Sequence, residues 1–85
     1  MAFTRCAALE AAEHGVRINA VAPSLAIHAA LDKVTPPGLL EELVGREAFG
    51  RAAEPWEVAN VMVFLASDYS SYLTGEVVSV SSQHP

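Results

Sequence analysis

One cysteine and one lysine stand among the 85 residues of this chain, and ten acidic residues outnumber five basic ones. Cys6 by itself forms no internal disulfide, and in its alanine-rich setting it reads as a small buried or semi-buried thiol in a reduced compartment. The formal charge is −5, and the basic residues Arg5, Arg17, Lys33, Arg46 and Arg51 are scattered, which leaves nucleic acid without an electrostatic footprint. His14, His28 and His84 lie too far apart for a short zinc-ligand pattern, so no metal is expected. The glycines Gly15, Gly38, Gly45, Gly50 and Gly75 form no G-x-G-x-x-G cluster, which removes a phosphate-cradling loop. Ser81, Ser82 and His84 make a serine/histidine neighbourhood without an orienting acid at a recognisable spacing, and a frayed tail is expected there. Glu10/Glu13 and Glu41/Glu42 are read as solvated helix faces. Long apolar runs are missing as well: Val61 to Ala66 falls far short of the roughly 18 residues a membrane span needs, and Arg5, Glu10 and Glu13 interrupt the apolar core of a signal peptide. The expectation is a cytoplasmic protein with neither a membrane nor a nucleic-acid partner.

What is present is apolar and periodic. The hydrophobic fraction is 52%, high for a single small domain that buries only roughly 60 to 65% of the surface its unfolded chain exposes, and the mismatch hints at a piece of something larger. Met1 to His14 predicts a helix of good formers closing on Gly15, with no N-cap residue ahead of it, as though a longer helix were entered partway. Val16 to Ala22 predicts a central parallel strand that ends on Pro23, with Val16, Ile18, Ala20 and Ala22 on one face and Arg17, Asn19 and Val21 on the other. In the long irregular region that follows, Thr35-Pro36 reads as an N-cap and first helical position, opening a short helix through Leu39, Leu40 and Leu43 to Gly45. Glu54-Pro55 opens a second long helix, on which Trp56, Ala59, Val63 and Ala66, flanked by Met62 and Phe64, are expected to bury a wide stripe. Tyr69 to Thr74 reads as a polar, aromatic corner, Gly75 as a turn and Glu76 to Ser81 as a strand parallel to the first.

Three stretches also carry a resemblance. Glu13 to Ser24, Glu-His-Gly-Val-Arg-Ile-Asn-Ala-Val-Ala-Pro-Ser, resembles the sixth strand and following Pro-Gly corner of the short-chain dehydrogenases/reductases. Phe49 to Ala59 resembles the entry to that family's last long helix, and Phe64 to Val80 its exit into the last strand. The resemblance covers nearly the whole chain and corresponds to the family's carboxyl-terminal third. It implies an α/β chain forming the C-terminal part of a Rossmann-like, doubly wound parallel sheet, ordered helix, strand, lid, helix, strand, with residues 25–50 as the substrate-binding lid.

By the same resemblance the cofactor is NAD or NADP, contacted at its nicotinamide end by Pro23, Ser24, Leu25, Ala26 and His28, and Leu31, Val34 and Leu40 belong to the substrate-binding region. Ser24 stands where the family usually has glycine, Ala26 where it has a β-branched residue, and His28 where a threonine commonly bonds the carboxamide. The family's Tyr-x-x-x-Lys is absent: the only lysine is Lys33, and position 29 is Ala29. No catalytic residue is therefore assigned within the chain. The implied parent activity is hydride transfer between nicotinamide and an alcohol/carbonyl pair, in members acting on 3-oxoacyl or other acyl thioesters, including those from steroid-ring breakdown. The tail Ser81 to Pro85 departs from the Asp-Gly-Gly ending common there. The expected partners are a small-molecule substrate in the complete enzyme and either identical subunits or the missing N-terminal portion. Two other readings remain: a truncated interaction module that docks on full-length subunits, and a fragment with no function of its own.

Overall fold

The computed structural model describes residues 1–23 and 38–82. Helix α1 (Ala2–Ala11) tightens into a 3-10 turn over Ala12–His14 and stops at Gly15, whose φ of 69° lies in the left-handed region. Gly15 N donates to Ala12 O at 3.1 Å and Val16 N to Ala11 O at 3.2 Å, so the last carbonyls are capped in the manner expected of a glycine just past a helix.

Strands β1 (Ala20–Pro23) and β2 (Val77–Val80) pair in parallel, Ala20 opposite Val77 through to Pro23 opposite Val80. The strand expected from Val16 thus starts four residues late. Arg17 to Asn19 run beside a corner rather than a strand, and side chains take the place of ladder bonds there. Ile18 N donates to Thr74 Oγ1 at 3.1 Å, Glu76 N to Asn19 Oδ1 at 3.1 Å, and Asn19 Nδ2 to Leu73 O at 3.0 Å. Gly75 makes the corner with φ 73°, and its backbone meets α1 closely: a Cβ at this position would stand 3.4 Å from the Ala8 Cβ. Regular pairing begins where Ala20 N donates to Glu76 O at 2.9 Å. Pro23, with no N–H to offer, occupies the last position of the strand.

Between the strands the chain forms α2 (Leu39–Arg46) and α3 (Pro55–Ala66). The helix expected to open at Thr35-Pro36 begins instead at Leu39, because Gly38 has a φ of 83° that no right-handed helix can contain; Thr35 and Pro36 lie outside the described residues. Glu42 in α2 bonds Arg46 at 2.6 Å, one helical turn on. Helix α3 opens as expected, with Pro55 at its first turn and Glu57 closing a capping box by accepting from Glu54 N at 2.9 Å.

The buried stripe expected on α3 is not the one observed. Trp56 and Val63 are 62% and 67% exposed and Ala59 and Ala66 are exposed as well, whereas Val58, Val61 and Leu65 are half-buried. The helix is apolar nearly all round, so its pattern does not choose a face, and a sheet of two short strands covers only one side. Among the described residues, Ala8 and Ala52 are the only fully buried apolar side chains. The result is an α/β unit, a parallel pair with helices on the connection, matching a partial Rossmann-like sheet. No helix among the described residues is long and apolar enough to cross a membrane.

Candidate functional site at the carboxyl ends of the strands

Parallel pairing puts the carboxyl ends of β1 and β2 side by side, with Pro23 next to Val80. In open α/β sheets this edge is where ligands bind, because the connecting loops and helix N-termini converge there. What holds the edge in place starts at the opposite end, at Arg17. Its Nη2 donates to Leu65 O at 3.0 Å and Ser67 O at 3.1 Å, and its Nη1 to Ser70 O at 2.8 Å, Ser70 Oγ at 3.0 Å and Leu73 O at 3.1 Å. One guanidinium therefore gathers the carbonyls at the end of α3 and around the corner after it, locking both to the approach of β1.

Beyond β2 the chain runs into Ser81 and Ser82, which border a cavity of about 150 Å³ together with Glu47, Phe49, Arg51 and Val80. Glu47 is only 7% exposed, and its Oε2 accepts from Ser82 Oγ at 3.1 Å. Ser82 Oγ also accepts from Phe49 N at 3.3 Å. Ser82 is thus engaged rather than frayed, a correction to the reading of the tail; His84 lies outside the described residues. On the other side, Asn19, Val21 and Pro23 of the β1 segment face Val58, Met62 and Leu65 of α3 across an open, mainly apolar groove of about 510 Å³.

Arg51 and Glu57 close the cavity wall with two bonds, Nη1 to Oε1 at 2.6 Å and Nη2 to Oε2 at 3.0 Å. The Arg51 guanidinium, followed by the Glu54 N–H, pulls the Glu57 carboxyl down from 4.5 to about 2, and the pair in turn raises Arg51. Because the folded value is the lower one, the stabilisation is complete above pH 4.5 and disappears as pH falls through about 2. Glu57→Gln is expected to flatten the acid side of a urea-midpoint profile within that window and to lower its neutral plateau by the same small amount, since what the variant lacks at neutral pH is what the unaltered chain loses on acidification and the pair is solvent-screened. An unaltered acid limb in the variant would remove this assignment.

Of the residues expected to bind cofactor, Pro23 is placed at the end of β1, while Ser24, Leu25, Ala26 and His28 lie outside the described residues. Of those expected to meet substrate, Leu40 lies in the first turn of α2, and Leu31 and Val34 lie outside the described residues. Sequence reasoning assigns no role to Arg17 or Glu47 and places Ser82 only in a frayed tail. Arg17 carried one usable signal, a lone charge in an otherwise apolar strand pattern; Glu47 and Ser82, 35 residues apart, carried none. Among the described residues no group of three or more His, Cys, Asp or Glu side chains is arranged to hold a metal ion.

Known proteins match this frame closely. The family described as enoyl-(acyl carrier protein) reductase matches residues 1–82. The chain is 71% identical over all 85 residues to (5R,7aS)-5-hydroxy-7a-methyl-1-oxo-2,3,5,6,7,7a-hexahydro-1H-indene-carboxyl-CoA reductase of Mycobacterium tuberculosis, of which it covers 32%. It is 46% identical over 78 residues to meso-2,3-butanediol dehydrogenase of Serratia marcescens, spanning 92% of this chain and 31% of that one. With 3-oxoacyl-(acyl-carrier-protein) reductase of Thermotoga maritima it shares 41% over 78 residues, again 92% of this chain and 31% of the other. The chain thus spans about a third of the length of the curated relatives it matches. A family match from residue 1 to 82 and 71% identity over the whole chain to one of its reductases, on a chain that pairs its strands in parallel, place the chain in the short-chain dehydrogenase/reductase family of oxidoreductases.

Proposed function

We propose that the chain is the carboxyl-terminal segment of an NAD(P)-dependent oxidoreductase that moves hydride between nicotinamide and an alcohol/carbonyl pair, and that it is inactive alone. The 71% identity to a carboxyl-CoA reductase, extending over every residue, carries this reading and favours an acyl-CoA thioester with a ring ketone or alcohol as substrate. In the complete enzyme, Pro23, Ser24, Leu25, Ala26 and His28 form one wall of the nicotinamide pocket, and residues 25–50, with Leu31, Val34 and Leu40, cover the substrate.

The reduction needs more than a wall. Hydride adds to the carbonyl carbon while a proton must reach its oxygen, and in this family a tyrosine with a lysine one turn on supplies that proton. The two tyrosines here are exposed in the corner after α3, and four residues beyond them stand Leu73 and Glu76. The dinucleotide phosphates likewise lack a glycine loop at a helix N-terminus. The chain's own contribution is to orient nicotinamide and substrate, with binding of the remainder left to another polypeptide segment.

The test combines the purified chain with a separately expressed amino-terminal two thirds of the Mycobacterium tuberculosis relative. NADH and NADPH binding and turnover of an acyl-CoA ketone are followed before and after mixing. Neither is expected from the chain alone, and turnover is expected on mixing. Saturable cofactor binding by the chain alone would overturn the account. A second reading, a docking module for full-length subunits, draws on the exposed apolar side chains Phe3, Trp56, Val63 and Tyr72. It requires instead a monodisperse chain that binds intact relatives without restoring any turnover.

A further inference from the structure

We infer that Ser82 and Glu47 form a latch that fastens the trailing end of α2 to the carboxyl end of β2, which makes Ser82 a positioning residue for that helix. The purpose of the latch rests on the reading of residues 25–50 as a substrate cover; its existence does not.

Helix α2 has eight residues, well below the roughly 12 to 15 at which an isolated helix becomes even marginal in water, so something outside it must hold it. Among the described side chains of α2, Leu39 and Leu43 remain 39% and 36% exposed. At its end the chain straightens at Glu47, with φ −69° and ψ 140°, and Glu47 is the one charged residue among those described that is buried. A carboxylate is taken out of water only where donors meet it. Ser82 Oγ donates to Glu47 Oε2 at 3.1 Å and at the same time accepts from Phe49 N at 3.3 Å, so one hydroxyl engages both a side chain and the backbone just past the helix. Glu47 N bonds Val44 O at 3.1 Å and Gly50 N bonds Glu47 O at 2.9 Å, which carries the restraint into the last turn of α2 and the turn after it.

Arg51 follows directly and is paired with Glu57 of α3. Residues 47–51 are thereby tied at one end to the tail of β2 and at the other to the first turn of α3. Helix α2 is thereby held at its trailing end.

The experiment is hydrogen exchange of the full chain read by mass spectrometry, comparing Ser82→Ala and Ser82→Thr with the unaltered sequence. In Ser82→Ala, exchange across residues 39–50 is expected to be about tenfold faster, the size of effect that follows when roughly one to two hydrogen bonds are lost locally, with α1 and α3 unchanged. Ser82→Thr keeps the hydroxyl and is expected to restore the original rates. Unchanged exchange over residues 39–50, an equal acceleration in α1 and α3, or failure of threonine to restore the rates would each overturn the latch. The readout needs neither cofactor nor turnover, so it fails or succeeds independently of the oxidoreductase reading.

Discussion

Arg17→Ala is expected to remove about a third or more of the stability of the chain and to lower its urea midpoint sharply. The guanidinium makes five hydrogen bonds to Leu65 O, Ser67 O, Ser70 O, Ser70 Oγ and Leu73 O, all between 2.8 and 3.1 Å, and because Nη1 has two N–H groups for three acceptors, at least one is shared. Leu65 O lies in the last turn of α3, at the negative end of its dipole, where a cation is favourable. Ser70 is 2% exposed, so water cannot readily replace the lost donors. Hydrogen bonds to charged groups contribute about 1.5–3 kcal/mol each, and even with strong non-additivity the loss is expected to exceed about 4 kcal/mol. A chain of this length has about 4–13 kcal/mol in total. Lysine offers a point charge where the site needs a planar fork, so Arg17→Lys is expected to recover part of the loss and no more. Far-UV circular dichroism under increasing urea checks both variants. A midpoint for Arg17→Ala equal to that of the unaltered chain would show that the five bonds are geometrically present but energetically idle.

Self-association of the isolated chain is the second large effect. Apolar side chains crowd its exposed faces: Met1, Phe3 and Leu9 on α1 and Trp56, Met62 and Val63 on α3 are all exposed. The second edge of β1 has no ladder partner among the described residues, and an open edge invites strand addition. Size exclusion with light scattering is expected to give a mass above 9.0 kDa that rises with concentration. Replacing Trp56 and Val63 with lysine, or adding the amino-terminal portion of a relative, is expected to bring it down. A monodisperse monomer over the whole concentration range would mean that these faces need no cover.

Local chemistry accounts for the parts of the molecule that were legible in the sequence. Gly15 ends α1 because a residue at positive φ is needed there, and Pro55 with Glu54 and Glu57 opens α3 because each satisfies or removes an orphan donor within three residues. The valines of β2 and the glycine before them announce a turn and a strand by the same short-range rules, and the family was legible separately, by the resemblance of three stretches in order to its carboxyl-terminal third.

Other features depended on contacts between distant residues. Four residues of expected strand became a side-chain-bonded approach because the segment opposite them is the corner at Gly75, and nothing near Val16 encodes what lies opposite. The face that α3 turns inward was undetermined because the helix is apolar on nearly every side, and only the position of the two strands selects Val58, Val61 and Leu65. Arg17 reaches residues 48 to 56 positions away and Ser82 reaches back 35 to Glu47. Helix caps, turns and strand periods are written within a few neighbouring residues, whereas a buried carboxylate or a clamping guanidinium takes its meaning from whichever acceptors and donors the folded chain brings within about 3 Å of it.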